Sequence, residues 1–136
     1  MLVVRRAQIE VLKAPLREPF VLRMVEHVLR YFPGDCAALP PDQLREIVRD
    51  GVIRAEKYGF ECERDATRFL NLMFTFGRLF DRDPSLGWAT RLLARAGRAN
   101  PGSLMNRLYV EGLRHEGEGL GLDGRGRSAE AAPTAG

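Results

Sequence analysis

The sequence has 136 residues, a formal net charge of +3 and a sequence pI of about 9.2, which is the size of one ordinary domain. The basic excess lies in residues 1–115, which contain 19 basic and 14 acidic side chains, and almost all of it is arginine. Because acidic residues are interleaved with these arginines, the composition argues against a dedicated nucleic-acid surface. No stretch approaches the roughly 20 apolar residues that span a bilayer.

The N-terminal sequence Met-Leu-Val-Val-Arg-Arg lacks the apolar core and cleavage site of a signal peptide. We therefore expect a cytoplasmic protein. Cys36 and Cys62 are the two cysteines, and two thiols in different segments predict reduced, structural residues. The alternative, one disulfide between the loop at 36 and the turn at 62, stays open.

The first half of the chain predicts helices separated by proline. Residues 2–14 predict a first helix, and Pro15 and Pro19 favour a joint before a second one, because each proline lacks an N–H group. One long helix with a kink is the alternative. The second helix is expected to begin at Pro19 and to end before Pro33. Its inward stripe repeats at three and four residues: Phe20, Val21, Met24, Val25, Val28, Leu29 and Phe32.

A third helix is predicted to begin at Pro41, which suits a first helical turn, and Gly59 is expected to cap its C-terminus. Asp42 lies near the positive end of the helix dipole. The inward stripe of this helix is Leu44, Ile47, Val48, Gly51, Val52 and Ala55.

The run from about residue 64 to residue 80 is the most apolar of the chain and holds four of the seven phenylalanines. Placed on a helix, its large apolar side chains cover most of the circumference. A helix that is apolar nearly all round is typical of the middle of a bundle. We therefore predict a central helix here.

The C-terminal part predicts two more helices and a tail. Ser85 is expected to cap a helix whose inward stripe leaves out Trp88, and residues 97–102 predict a turn. In the last helix, six residues are expected to face the core: Leu104, Met105, Leu108, Tyr109, Gly112 and Leu113. Residues 117–136 are rich in glycine and alanine and predict disorder. The fold expected is thus an all-α, compact bundle of five to six helices in a single domain, residues 1–116.

The side chains offer no pattern typical of catalysis or of a cofactor. His27 and His115, the two histidines, lack partners at the spacing of a metal site or a catalytic pair. The segment Asp81-Arg82-Asp83 resembles the start of a calcium loop but lacks its glycine and distant glutamate. We predict no catalytic, cofactor-binding or metal-binding residues, and we expect that the protein is not an enzyme.

Aromatic residues beside arginines and aspartates are more informative, since such residues often anchor protein partners. Phe60 follows the Gly59 turn, Trp88 lies off its stripe and Tyr31 adjoins Phe32. Two interpretations stay open: these aromatic rings contact a partner, or they close the ends of the bundle. The candidate partner-binding residues are Tyr31, Phe60, Arg64, Arg68, Asp81, Asp83 and Trp88.

Several segments together resemble a known group of proteins. They are Arg6-Ala7-Gln8, Leu29-Arg30-Tyr31-Phe32-Pro33, Arg54-Ala55-Glu56-Lys57-Tyr58-Gly59, Glu63-Arg64-Asp65-Ala66-Thr67-Arg68-Phe69-Leu70, Phe80-Asp81-Arg82-Asp83-Pro84, Trp88-Ala89 and Leu108-Tyr109. The group consists of small, poorly characterised, all-helical proteobacterial proteins, often encoded beside type VI secretion spike and effector genes. The resemblance covers about residues 3–115, and Pro15, Pro19 and the loose junction at 97–102 depart from it.

The resemblance implies an accessory role, in which an adaptor or chaperone holds an effector or spike protein until it is loaded, and it supplies no active-site residues. One alternative is an immunity protein that neutralises a toxin, although a domain of charge +5 matches a basic toxin poorly. Another is a helical DNA-binding regulator. There the turn Tyr58-Gly59-Phe60 would precede the recognition helix, but that helix is the most apolar of the chain. We expect a protein partner, no membrane and no nucleic acid, and the sequence leaves the oligomeric state open.

Overall fold

The structure is a computed structural model that describes residues 14–123, with side chains described for residues 17–116. Within this range the chain forms six α-helices and one short 3-10 helix, which confirms the all-α prediction. The predicted first helix lies outside the described residues except for its last residue. In chain order the helices are α1 (Ala14–Tyr31), α2 (Pro33–Cys36), α3 (Pro41–Lys57), α4 (Glu63–Phe76), the 3-10 helix (Phe80–Arg82), α5 (Gly87–Leu93) and α6 (Pro101–Asp123).

The described residues divide into two compact units, the first up to Leu70 and the second from Asn71 onward, with the boundary inside α4. In the first unit α1 packs against α3 and α2, and in the second α5 packs against α6 and the 3-10 helix. The apolar run of α4 supplies core residues on both sides of the boundary, as its nearly all-round apolar surface predicted. These buried residues are Ala66, Phe69, Leu70, Leu72 and Met73.

Proline does not interrupt α1. The predicted joint at residues 15–19 is wrong, because the helix is continuous from Ala14 with Pro19 inside it. Pro15 lies in the first turn, where backbone N–H groups have no helical partner, and Pro19 removes one hydrogen bond only a turn further on. The side chains that follow are buried: Phe20, Val21, Met24 and Val28. At about 1.5–3 kcal/mol each, their burial outweighs a proline cost of about 3 kcal/mol.

Two bidentate ion pairs hold the first turn of α1 on α3. Arg17 donates two hydrogen bonds to the carboxylate of Glu56, at 2.8 and 3.2 Å. Arg49 donates two to Glu18, at 2.6 and 2.9 Å. These hydrogen bonds from Arg49 lower the pKa of Glu18 below its ordinary value. Paired N–H donors fix orientation as well as distance, so the register of α1 on α3 is defined at this end.

The end of α3 confirms the glycine cap. Gly59 has φ of 95°, a left-handed conformation that glycine adopts without a Cβ penalty. Its N–H group donates to the carbonyl of Glu56 at 2.9 Å, and the N–H group of Phe60 donates to Ala55 at 2.9 Å. This pair of hydrogen bonds is a Schellman motif, and it turns the chain back so that Phe60 lies against its own unit.

The central helix is shorter than predicted. It ends at Phe76, not near residue 80, because Gly77 takes φ of 125° and directs the chain out of the helix. Phe80 then opens the 3-10 helix, and its side chain is 1% exposed. The apolar run therefore continues to fill the core after the helix itself has stopped.

In the second unit, the start of α5 and the end of α6 differ from the prediction. Ser85 does not cap α5; its N–H and hydroxyl groups donate to Asp83 at 2.9 and 2.8 Å, which forms a turn ahead of the helix. At α6 the Asn100 side chain caps by accepting the N–H of Ser103 at 3.0 Å. The backbone of α6 is helical to Asp123, seven residues into the segment expected to be disordered. The rest of that segment lies outside the described residues.

None of the helices within residues 14–123 combines the length and the apolarity needed to cross a bilayer.

Candidate functional site

The seven residues predicted to bind a partner are divided between the two units. The first unit holds Tyr31, Phe60, Arg64 and Arg68, and the second holds Asp81, Asp83 and Trp88. Their exposure differs widely. The structure therefore separates residues that are available to a partner from residues that build the core.

Phe60 is a core residue, so its ring is not available to a partner, which was one of the two interpretations left open for it. Its exposed fraction is 0%. Its ring centroid lies 6.1 Å from that of Phe69 and 6.3 Å from that of Tyr58, which is itself 5.9 Å from Phe69. Tilted aromatic clusters at these distances are favourable. The alternative interpretation, that the ring closes the end of its unit, is the one the structure supports.

Trp88 is also buried, with 9% of its surface exposed. Its indole stacks on the His115 imidazole at a centroid distance of 5.0 Å and an interplanar angle of 8°. The Phe76 ring meets it edge-on at 5.2 Å. Trp88 lies one turn before Leu92 on the inward side of α5, whose buried sector is wider than the expected stripe.

The two aspartates have structural surroundings. Asp83 accepts both hydrogen bonds from Ser85, and these lower the pKa of its carboxyl group. The side chain of Asp81 is buried, with its carboxylate 3.9 Å from the Arg82 guanidinium. No group of three or more histidine, cysteine, aspartate or glutamate residues within residues 14–123 is arranged to hold a metal ion.

The two arginines and Tyr31 lie nearer to solvent. Tyr31 is 62% exposed, and its ring lies 4.9 Å from the His27 ring, one helical turn earlier. Arg64 is exposed and its Nε lies 3.5 Å from the buried carboxylate of Asp65. Arg68 is half-buried. Tyr31 and Arg64 are thus the two predicted partner-binding residues whose side chains are most available.

The outward side of α1 carries an apolar row that the sequence analysis did not identify as a surface. Leu22 and Leu29 are 53% and 46% exposed, and Val25 between them is half-buried. Steps of three and four residues place them on one side of the helix over about 10 Å. These three residues form the α1 stripe. The prediction that Leu29 faces inward is wrong, because the apolar sector of α1 is wider than its neighbours cover.

A second pair of exposed apolar residues lies on α6, where Val110 is 62% and Leu113 57% exposed. Leu113 was predicted to face inward, and that prediction is wrong. The other buried positions of this helix agree with the expected stripe, since Leu104, Met105 and Leu108 are at most 3% exposed.

An open cleft of about 310 Å³ lies in the second unit where α4 ends. Its floor is apolar, and Arg82 and Asp83 also line it. Leu79, one of its apolar side chains, is 55% exposed. The remaining lining residues are Phe76, Gly77, Phe80 and Pro84.

Both cysteines are buried and unpaired, in agreement with the prediction. Burial and the neighbouring Asp35 raise the pKa of the Cys36 thiol to about 11, and burial raises the pKa of Cys62. The Cys36 thiol donates to the Val28 carbonyl at 3.6 Å. Thiols in such surroundings stay protonated and are poor nucleophiles.

Comparisons with models of known protein families, with curated proteins and with solved structures found no match. The resemblance to small helical proteins encoded near type VI secretion genes therefore stays a prediction. The α1 stripe and the exposed polar residues around it form the best-defined candidate surface.

Proposed function

We propose that this protein is a non-enzymatic interaction module, an adaptor or chaperone for a secreted effector or spike protein of a type VI-like secretion system. The observation that carries the proposal is the α1 stripe, in which Leu22 and Leu29 expose about half of their side chains to solvent. The secretion role follows from the resemblance, and the stripe supports the binding of a protein.

The surroundings of the stripe are typical of an interaction surface. The charged side chains of Glu18, Glu26 and Arg30 are exposed along the same helix. Apolar side chains rimmed by charged ones are characteristic of protein-binding patches. Leucines seven residues apart with an apolar residue between them have the spacing that accepts a second amphipathic helix. We therefore propose that the partner presents a helix to α1.

The two histidines have structural contacts, which supports a non-enzymatic role. His27 packs against Tyr31, and His115 stacks on Trp88 with its Nε2 atom 3.7 Å from the Glu111 carboxylate. Each ring thus contributes to packing within its own helix or unit.

The proposal is tested by co-expressing the full chain with the proteins encoded by neighbouring genes and identifying what co-purifies. Capture of a spike or large effector protein is expected. The double substitution Leu22→Asp and Leu29→Asp should abolish capture, because burying each leucine contributes about 1.5–3 kcal/mol and an aspartate there would lose its hydration.

The matched control is the double substitution Val110→Asp and Leu113→Asp, which places the same charges on the exposed apolar pair of α6. This variant should capture the partner as the wild type does, and both variants should keep the wild-type circular dichroism spectrum. Capture that survives the α1 substitutions would refute the proposal. Recovery of one small toxin whose activity the chain abolishes would instead identify an immunity protein.

A further inference from the structure

Positive charge is concentrated in one part of the chain. Residues 84–110 contain four arginines and no aspartate or glutamate. Residues 14–123 together contain 16 basic and 16 acidic side chains, for a net charge of zero. The cationic excess of this segment is therefore local, and it is balanced by acidic residues elsewhere. The four arginines are Arg91, Arg95, Arg98 and Arg107.

Three of these arginines lie at the end of α5 and in the turn that follows it. After α5 ends at Leu93, the N–H of Arg95 donates to the carbonyl of Leu92 and that of Arg98 to the carbonyl of Arg95, each at 3.0 Å. Gly97 takes φ of 89°, so the chain leaves the helical path before Arg98. We call Arg91, Arg95 and Arg98, which lie close together in sequence, the arginine surface.

The arginine surface faces solvent, while the inward side of α5 is buried. All three of its side chains are exposed, and Trp88 and Leu92 on the inward side are each 9% exposed. The guanidinium of Arg91 extends back over Gly87, where a Cβ atom would lie 2.9 Å from its Nη1. The packing of α5 on α6 therefore places Arg91 on the outward side of α5.

No carboxylate neutralises the arginine surface among the residues whose side chains are described. Arg98 donates to the backbone carbonyl of Ala94 at 3.1 Å. Most other arginines within residues 17–116 form ion pairs within 4 Å of a carboxylate. The guanidinium groups of the arginine surface are therefore available to bind a carboxylate from another molecule.

The surroundings favour an acidic protein segment over a nucleic acid. Proteins that bind single strands stack bases on exposed aromatic rings. The two aromatic side chains between residues 84 and 116 are Trp88, which is buried, and Tyr109, which is half-buried and accepts a hydrogen bond from Asn71. A described region of zero net charge also lacks the extended positive field that attracts a polynucleotide.

We propose that the arginine surface docks an acidic segment of the partner protein. This rests on the proposed function, since it assigns a chemistry to the partner of the interaction module. Guanidinium groups bind carboxylates through paired hydrogen bonds that lysine cannot reproduce. A partner segment with several glutamates or aspartates close together would offer carboxylates to the three arginines.

The test measures binding of fluorescein-labelled decaglutamate to the full chain by fluorescence anisotropy. The wild type should bind, and binding should weaken as salt is raised. The triple substitution R91Q/R95Q/R98Q should weaken binding by at least about tenfold, through the loss of three charge-assisted contacts.

The matched control is R30Q/R45Q/R114Q, which removes the same charge from exposed arginines elsewhere and should change binding by less than about twofold. Equal weakening by both variants would overturn the proposal, because only net charge would then matter. Tighter binding of a twenty-residue oligothymidine that is lost in R91Q/R95Q/R98Q would assign the surface to nucleic acid and would also overturn it.

The two proposals fail separately. If partner capture depends on the α1 stripe while decaglutamate binding does not depend on the arginine surface, the acidic docking site is refuted and the interaction module stands. If decaglutamate binding depends on the arginine surface while Leu22→Asp and Leu29→Asp leave capture unchanged, the site for an acidic segment stands and the proposed function is refuted.

Discussion

Gly112 occupies a position on α6 where a methyl group would not fit. A Cβ atom there would lie 2.7 Å from Cδ2 of Leu72, 3.4 Å from the Phe76 ring and 3.5 Å from the indole of Trp88. Leu72 and Trp88 are buried and Phe76 meets the Trp88 indole edge-on, so a shift of any of them disturbs core packing. The glycine that was expected to face inward is thus required by side-chain packing.

We predict that Gly112→Ala lowers the free energy of unfolding by about 1 kcal/mol. Overpacking costs about 1–3 kcal/mol, and the higher helix propensity of alanine returns about 1 kcal/mol. Urea unfolding monitored by circular dichroism measures the change. Gly34→Ala is the control, because nothing lies within 4 Å of a Cβ atom at Gly34, and it should leave stability unchanged or raised. A Gly112→Ala protein as stable as the Gly34→Ala protein would contradict this packing account.

Individual aromatic residues show which side-chain positions a sequence pattern can predict and which it cannot. The turn at Gly59 was predicted correctly, but the direction in which it sends Phe60 depends on the ring cluster with Tyr58 and Phe69. Trp88 was misplaced because the buried sector of α5, which holds Trp88, Ala89, Leu92 and Leu93, is wider than the stripe that the sequence spacing indicated. How wide a sector is buried depends on the neighbours of the helix, which the spacing does not specify.

At the scale of elements, α1 shows that proline is a local cost that packing can exceed. Pro19 removes one backbone hydrogen bond, while the buried face of the helix and the two bidentate ion pairs to α3 hold the helix together. Gly77 has the opposite effect, since a single residue with positive φ ends α4 although apolar residues follow it.

We predict that Pro19→Ala raises the free energy of unfolding by about 2 kcal/mol. Alanine restores the N–H group and removes the clash with the preceding turn. These gains exceed the stability of roughly 0.4–1 kcal/mol that is lost because alanine makes the unfolded chain more flexible. Chemical denaturation measures the difference. Pro41→Ala is the control, because Pro41 begins α3 where proline is favourable, and it should lower stability slightly. Destabilisation by both substitutions would refute this account of Pro19.

At the scale of the whole molecule, α4 supplies core residues to both units. Ala66, Phe69 and Leu70 are buried in the first unit, and Leu72 and Met73 in the second. Helix formation is cooperative along its length, so we expect that neither unit unfolds without disturbing the other.

This cooperativity is measurable with two natural probes. Cys36 and Cys62 are buried in the first unit, and Trp88, the single tryptophan, is buried in the second. A raised thiol pKa together with burial should prevent reaction with a disulfide reagent at pH 8 until the first unit unfolds. We predict that thiol reactivity and tryptophan emission change at the same urea concentration.

Full denaturation provides the control for this experiment, since both thiols should then react completely. Thiol reaction at a urea concentration below the emission transition would show that the first unit opens by itself. That result would refute the expected coupling through α4.

The sequence by itself determined the helical class, the approximate positions of α1, α3, α4, α5 and α6 and most of the buried positions. It did not predict the short helix α2. These predictions rest on local signals, namely helical periodicity, the prolines at the first turn of α3 and the glycine after α3. Such signals can be interpreted without knowing which helices pack against each other. The segregation of charge in residues 84–110 was also visible in the sequence.

Only the tertiary structure decided which apolar residues are left exposed. Leu29 and Leu113 have the same helical spacing as their buried neighbours, and their exposure depends on how wide a sector the adjoining helices cover. The continuity of α1 through Pro19 likewise depends on the burial of its inward face. Candidate surfaces therefore emerged from packing, because periodicity specifies which side of a helix is apolar but does not specify how much of that side a neighbour covers.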